Sequence, residues 1–288
     1  MDNIRIYSFE NFRLGDKIAA CYQLQYYAIN KGYHYILVDP TADSYFSIRR
    51  YFPSIGQYCI ETNTAHEIYE ELKKHYQEIG FHNLWISSPS LFKDTGFVSN
   101  MILPDNLKQF QHELYDKKSS KKLIDYKIKI VNHVLLDAPY NKGRNHTLDQ
   151  WDRLMTRVQE YIDNNEIDAI IIDIPIDYSW SVESILCLIE MGDIYVGGDT
   201  GFSHCFSAFN PNKPLIAIYG SDDHDKQAFE YIREEHNYSS QWSSLPISNN
   251  LYEFRMKNNL FNEEEVFEEI INQIKLQNEN NTNLSTTL

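Results

Sequence analysis

The sequence predicts an α/β protein built from two doubly wound units, each a parallel sheet with helices on its faces. Apolar strand-like runs alternate with helix-period segments in both halves of the chain. A length of 288 residues accommodates two domains of roughly 150 residues each. The stretch Asp193-Ile-Tyr-Val-Gly-Gly-Asp-Thr-Gly-Phe-Ser-His204 joins a buried strand to a Gly-rich turn and a helix start. There, unpaired backbone N–H groups and the positive end of a helix dipole meet at one spot, which suits a phosphate.

In chain order, Ile4–Phe9 reads as a strand and 10–16 as a polar loop containing Gly15. Lys17–Lys31 reads as a helix, because Ile18, Cys21, Leu24 and Ala28 recur at helical spacing and Gly32 supplies a stop. Tyr35–Val38 returns as a strand, completing a βαβ unit that puts Arg13-Leu-Gly-Asp16 at the carboxyl edge of the sheet, where open α/β sheets bind ligands. Thr64–Ile79 and Asn106–Asp116 fit helices and Leu84–Ser87 a short strand. The apolar-free run Lys117-Lys-Ser-Ser-Lys-Lys122 reads as a solvated connection, with the domain boundary just after it.

The second half opens with a strand, Ile128–Leu136, followed by a turn and a helix over Leu148–Asn164 capped by Thr147. Asp168–Asp173 is continuously apolar between its two terminal aspartates, as a strand covered on both faces requires. A helix at Ser181–Met191, the strand Asp193–Val196 leaving through Gly197 and Gly198, a helix capped by Thr200 or Ser203, and the strand Leu215–Tyr219 follow. Phe261–Gln277 is an acidic amphipathic helix. The expected organisation is a first unit over 1–124, a second over 125–277 and a flexible polar tail over 278–288.

Charge and composition exclude several functions. A formal charge of −15 argues against nucleic acid, which wants a basic stripe, and against broad adhesion to anionic membranes. No apolar run reaches the ~18 residues of a membrane span, and the N-terminus enters a strand without a signal layout, so the expected location is cytoplasmic. Cys21, Cys59, Cys187 and Cys205 are too dispersed for a metal site and read as buried thiols.

Individual residues admit more than one reading. Asp16 is either a helix cap or a general base at a cleft. Lys142 and Arg144 are either a solvated turn or cations for a diphosphate, Arg being suited by its fork of donors. Thr200 with the N–H groups of Gly201 and Phe202 can hold phosphate oxygens, with His204 adding a hydrogen bond. Ser221-Asp-Asp-His-Asp225 reads as an exposed acidic turn before a metal site, and Asp173 and Asp177 carry no recognisable geometry. Asp199-Thr-Gly201 also matches an aspartic protease lobe, but that chemistry needs two such carboxylates on an all-β scaffold.

These residues resemble glycosyltransferase family 9, the heptosyltransferase-like enzymes. Leu14-Gly-Asp-Lys-Ile-Ala-Ala20 is similar to the family's Gly-Asp loop and helix. Arg144, seven residues before Trp151, sits in a segment similar to its donor loop. Gly198-Asp-Thr-Gly-Phe-Ser-His-Cys-Phe-Ser-Ala208 is similar to its Asp-Thr-Gly-x-x-His signature. The chain departs from the family pattern at Tyr22, at Asp137-Ala-Pro139 and at Asp173-Ile-Pro-Ile-Asp177.

The resemblance implies a GT-B fold, two Rossmann-like domains facing across a cleft. It also implies inverting transfer from a nucleotide diphosphate sugar to a saccharide or glycolipid acceptor, of the lipopolysaccharide or surface-glycan kind. Asp16 would be the base. Arg144, Thr200, Gly201, Ser203 and His204 would hold the diphosphate, and Gly15, Gly198 and Asp199 would be signature or structural residues. No metal or other cofactor is required, and contact with a membrane would be peripheral at most. The alternatives are another GT-B-fold nucleotide-sugar enzyme, such as an epimerase, and a nucleotide-sugar-binding module without transfer.

Overall fold

The computed structural model describes residues 3–9, 14–39, 47–62, 66–78, 101–136, 146–175, 180–198, 200–220, 248 and 250–285. The chain divides into two compact units, Met1–Pro104 and Asp105–Leu288.

The first unit contains β1 (Ile4–Ser8), α1 (Leu14–Lys31), β2 (His34–Val38), α2 (Ile48–Tyr51), α3 (Pro53–Gly56), β3 (Cys59–Thr62), α4 (His66–Lys73) and β4 (Gln77–Glu78). Its sheet runs β3-β2-β1-β4, all parallel, with Ile4 opposite His34 and Ser8 opposite Val38. Helix α1 lays Ile18, Cys21, Leu24 and Ala28 into the core, alongside Ile6 and Leu37 from the strands. It stops at Gly32, whose φ of 66° is the left-handed conformation that glycine adopts without strain.

Helix α1 begins earlier than the sequence suggests, so Gly15 and Asp16 lie in its first turn rather than in a loop. The polar character of this stretch is misleading because Lys17 is not solvated: it is fully buried and bonded to Asp39 at the end of β2. The helix expected over 64–79 is, by contrast, shorter. Its chain turns at Lys74–Tyr76, and Gln77–Glu78 add a strand beside β1. The Tyr69 hydroxyl reaches back to the Glu78 carboxylate and holds that turn. The strand expected at 84–87 lies outside the described residues.

The second unit contains α5 (Asp105–Gln111), a 3-10 turn at Leu123–Asp125, β5 (Ile128–His133), α6 (Leu148–Asn164), β6 (Ala169–Asp173) and α7 (Val182–Met191). Then come β7 (Ile194–Gly198), α8 (Gly201–Phe209), β8 (Leu215–Tyr219), β9 (Leu251–Arg255) and α9 (Glu263–Ser285). Residues 105–124, expected in the first unit, pack into this one. Gln111 donates from Nε2 to Cys187 O at 2.9 Å and Glu190 Oε2 at 2.7 Å. Leu114 and Leu123 also share a cluster with Ile172, Leu188 and Met191.

The sheet order is β6-β5-β7-β8-β9, again all parallel. Ile128, Ile130, Ile194, Val196, Ile216 and Ile218 form one core with Trp151, Leu154 and Val158 of α6 and Val266, Ile270 and Ile274 of α9. Covering on both faces explains the continuous apolar strands.

Two details differ from expectation. Thr147 occupies the N-cap position of α6 without making a side-chain cap, and its hydroxyl donates instead to Asn259 O at 3.2 Å. The last helix, expected to end at Gln277, continues to Ser285, and Asn281 donates from Nδ2 to Lys127 O at 3.2 Å. All four cysteines are buried and none forms a disulfide. No described helix is long and apolar enough to cross a membrane.

Candidate functional site

In the second unit the chain leaves β5 toward β6 on one side and returns to β7 on the other. The crevice outside the carboxyl ends of β5 and β7 is therefore the topological switch point, where open α/β sheets bind ligands. His133 ends β5, Gly198 ends β7, and α8 starts three residues later.

Gly197 and Gly198 belong to β7 itself rather than forming a turn beyond it, and the reason for both is close packing. A Cβ on Gly197 would lie 2.8 Å from His133 O and 2.8 Å from Tyr195 Cε1. A Cβ on Gly198 would lie 3.2 Å from His146 Cε1 and from Leu135 Cβ.

The start of α8 is a reciprocal capping box. Thr200 Oγ1 accepts from Phe202 N–H at 3.2 Å, and Ser203 Oγ accepts from Thr200 N–H at 3.1 Å while donating to Thr200 O at 2.7 Å. Two expectations change with this geometry. The Phe202 N–H, offered to phosphate in the sequence reading, is already bonded to Thr200. The Ser203 hydroxyl gives its proton inward, so it shapes the turn instead of presenting a donor. Gly201 is half-buried at the first helical position, and His204 is buried one turn in.

Two histidines that the sequence reading passed over line this crevice. His133 Nδ1 lies 3.1 Å from Tyr195 Oη and 3.2 Å from Thr200 Oγ1, with the ring edge-on to Phe202. Burial, with a smaller contribution from His146, lowers its pKa to about 4. His146 accepts from Leu135 N–H through Nδ1 at 3.1 Å, which leaves the proton on Nε2, 3.5 Å from Ile218 O. Burial lowers its pKa to about 4, against the opposing pull of that carbonyl. Both rings are neutral near pH 7.

His146 also clasps the loop between β5 and α6, because its own N–H donates to Leu135 O at 2.7 Å. Its ring stacks on Trp151 at 4.4 Å and 12° from parallel. Trp151 in turn donates from Nε1 to Asn132 Oδ1 at 2.9 Å, and Asn132 donates to Asp173 Oδ1 at 2.6 Å. An exposed carboxylate at the end of β6 is thus tied through Asn132 to a buried aromatic stack. Only one signal in the sequence could have pointed to this network: two polar residues, Asn132 and His133, interrupting an otherwise apolar strand end.

Lys142, Arg144, Asp177, Asp199 and the 221–225 cluster lie outside the described residues. In the first unit, Gly15 is buried and Asp16, described by its backbone, sits in the first turn of α1. That turn follows β1, which stands between β2 and β4 at the switch point of its own sheet.

No protein-family model matches the chain, and no curated protein matches its sequence. Solved structures do resemble it. A glycosyl transferase family 9 protein from Veillonella parvula aligns over 94% of this chain and 97% of its own, with a TM-score of 0.53 at 9% identity. The ADP-heptose lipopolysaccharide heptosyltransferase II of E. coli aligns over 96% and 99%, with a TM-score of 0.54 at 12% identity. These likenesses show a shared fold, the GT-B class expected from the sequence.

Proposed function

We propose that the protein is an inverting glycosyltransferase that uses a nucleotide diphosphate sugar and a saccharide or glycolipid acceptor. The observation that carries this reading is the capped N-terminus of α8 at the β5/β7 switch point, with the Thr200 hydroxyl and the Gly201 N–H at its start. The fold shared with family 9 transferases supports the same reading.

In the proposed reaction an acceptor hydroxyl attacks the anomeric carbon of the donor. The carbon–oxygen bond to the diphosphate breaks, and its electron pair leaves with the phosphate oxygen. Asp16 takes the acceptor proton. Thr200, Gly201, His204 and Arg144 stabilise the charge gathering on the departing diphosphate, so the residues themselves supply what a metal ion otherwise would. Ser203 holds the cap, Gly198 allows close packing, Gly15 stands in the first turn of α1, and Asp199 is the signature residue between β7 and Thr200.

A thermal-shift screen over nucleoside diphosphates and sugar nucleotides tests the reading, because a ligand that binds only the folded state raises apparent stability. A rise with one nucleotide series is expected. No shift with any of them overturns the proposal. Binding with no product from any donor points to a binding module, and conversion of a sugar nucleotide without acceptor points to an epimerase.

A further inference from the structure

We infer that the protein associates as a twofold dimer through β6, the open edge of the second sheet pairing antiparallel with β6 of a second copy. The inference is independent of the donor-site reading and adds an interaction surface to it.

Backbone bonds fix which groups of β6 are already taken. Ile128 N–H donates to Asp168 O at 3.1 Å, and Ile174 N–H to Asn132 O at 2.9 Å. With Ile128 opposite Ala169 and Asn132 opposite Asp173, Ile170 and Ile172 turn their backbone groups toward β5. Those of Ala169, Ile171 and Asp173 face the other way, where β6 has no neighbouring strand among the described residues. The Ala169 N–H is used locally, on Ile167 O at 2.8 Å. The open edge thus offers the carbonyls of Ala169, Ile171 and Asp173 and the N–H groups of Ile171 and Asp173.

This set is self-complementary in one register. With a twofold axis at Ile171, each Ile171 exchanges N–H and C=O with its copy, and each Asp173 N–H meets the carbonyl of the partner's Ala169. Moving the axis to Ile172 aims the Ala169 carbonyl at Pro175, which has no N–H, and brings the two Asp173 carboxylates onto diagonal positions of one face. Moving it to Ile170 opposes the Ile171 carbonyl to an Ala169 N–H that Ile167 already holds.

The side chains agree with a paired edge. Edges that stay single are blunted with charge, proline or a bulge. Strand β9, at the far side of the same sheet, carries Glu253 and Arg255 at positions whose backbone faces away from β8. Strand β6 is apolar from Ala169 to Ile172 and charged only at its last residue. Ile170 and Ile171 are each partly exposed and pack against different core clusters, on opposite faces of the sheet. Pairing lays Ile171 beside its copy and Ile170 beside the partner's Ile172, removing apolar surface from water on both faces. A groove of about 870 Å³ along Ala169–Asp173, lined by Leu123 and Ile162, gives the second strand its place.

Sedimentation equilibrium and cysteine crosslinking of the full chain test the inference. Wild type is expected at twice its 34.0 kDa mass at micromolar concentration, and Ile171→Lys at the single-chain mass with the circular dichroism of the wild type. Opposed residues of a hydrogen-bonded antiparallel pair stand about 5.5 Å apart at Cα, within disulfide reach. Ile171→Cys is therefore expected to crosslink to itself under mild oxidation, whereas Ala169→Cys and Asp173→Cys crosslink only when mixed. The four native cysteines are buried and do not compete.

A wild type of single-chain mass overturns the inference, as does a dimer retained by Ile171→Lys. Should that variant fail to fold, the cysteine series decides. No crosslink at any of the three positions, or self-crosslinking at 169 or 173 equal to that at 171, assigns the contact to another face and overturns the inference.

Discussion

Lys17 Nζ lies 2.8 and 2.7 Å from the two carboxylate oxygens of Asp39, and both side chains are wholly excluded from solvent. The pair ties the first turn of α1 to the end of β2, one residue from Asp16. A lysine near a helix N-terminus opposes the helix dipole, so its place there depends on its partner. Removing one member takes a short two-oxygen ion pair away from a buried charge, whereas removing both removes the desolvation cost along with the attraction. Lys17→Met is therefore expected to destabilise the chain by about 3–5 kcal/mol, and Lys17→Met with Asp39→Leu by far less. Urea denaturation of the three proteins measures both values.

Gly197 is expected to tolerate no side chain. Alanine there meets a backbone carbonyl of the neighbouring strand and the Tyr195 ring, each at 2.8 Å, and the carbonyl cannot move without breaking the ladder between β5 and β7. Gly197→Ala should cost about 1–3 kcal/mol. Gly198→Ala, whose nearest contacts are at 3.2 Å and are side-chain atoms, should cost less. Equal losses in thermal unfolding would contradict this ordering.

The two buried imidazoles make the chain acid-sensitive. His133 and His146 titrate at about 4 when folded, lowered chiefly by burial. In the unfolded chain a histidine titrates near ~6.5. Between these values the unfolded state holds protons that the folded state does not, so falling pH favours unfolding. Their contribution is complete above pH ~6.5 and is lost as the pH drops toward 4, amounting to about 2 kcal/mol per histidine between pH 7 and 5. Urea midpoints measured across that range should fall, and His133→Phe should flatten the slope by one histidine's share.

Asp16→Ala is expected to lower turnover by about 10²–10⁴-fold, the usual worth of a general base, while nucleotide affinity stays at the wild-type value. Single-turnover kinetics beside calorimetry separate the two. A variant that keeps its full rate removes Asp16 from the mechanism.

How far the sequence can be read depends on the length and regularity of each element. Helix α6 and strand β8 have the bounds expected for them, because a seventeen-residue amphipathic pattern and a five-residue apolar run are unambiguous signals. The short pieces α2, α3, β3, β4 and β9 carry no such pattern. Cys59–Thr62 offers only four residues, and Gln77–Glu78 only two polar ones, so their pairing partners rather than their composition make them strands. Residues 105–124 look like the end of the first unit, yet Gln111 and Leu114 bond and pack against α7, more than seventy positions later in the chain.

By itself the sequence determined the two-unit parallel α/β class, the strand-to-helix turn after β7 and a hydroxyl cap there from Thr200 or Ser203. These follow from local periodicity, glycine placement and hydroxyl chemistry, all of which act within a few residues. Only the tertiary structure decided what surrounds that turn. It brings His133 from one strand and Tyr195 from the next to a shared hydrogen bond, folds His146 against Gly198, and removes Lys17 and Asp39 from water together. A histidine in an apolar strand or a lysine in a helix has no intrinsic role, because its partners are dozens of residues away. The sheet order chooses those partners, and with them the chemistry each side chain can perform.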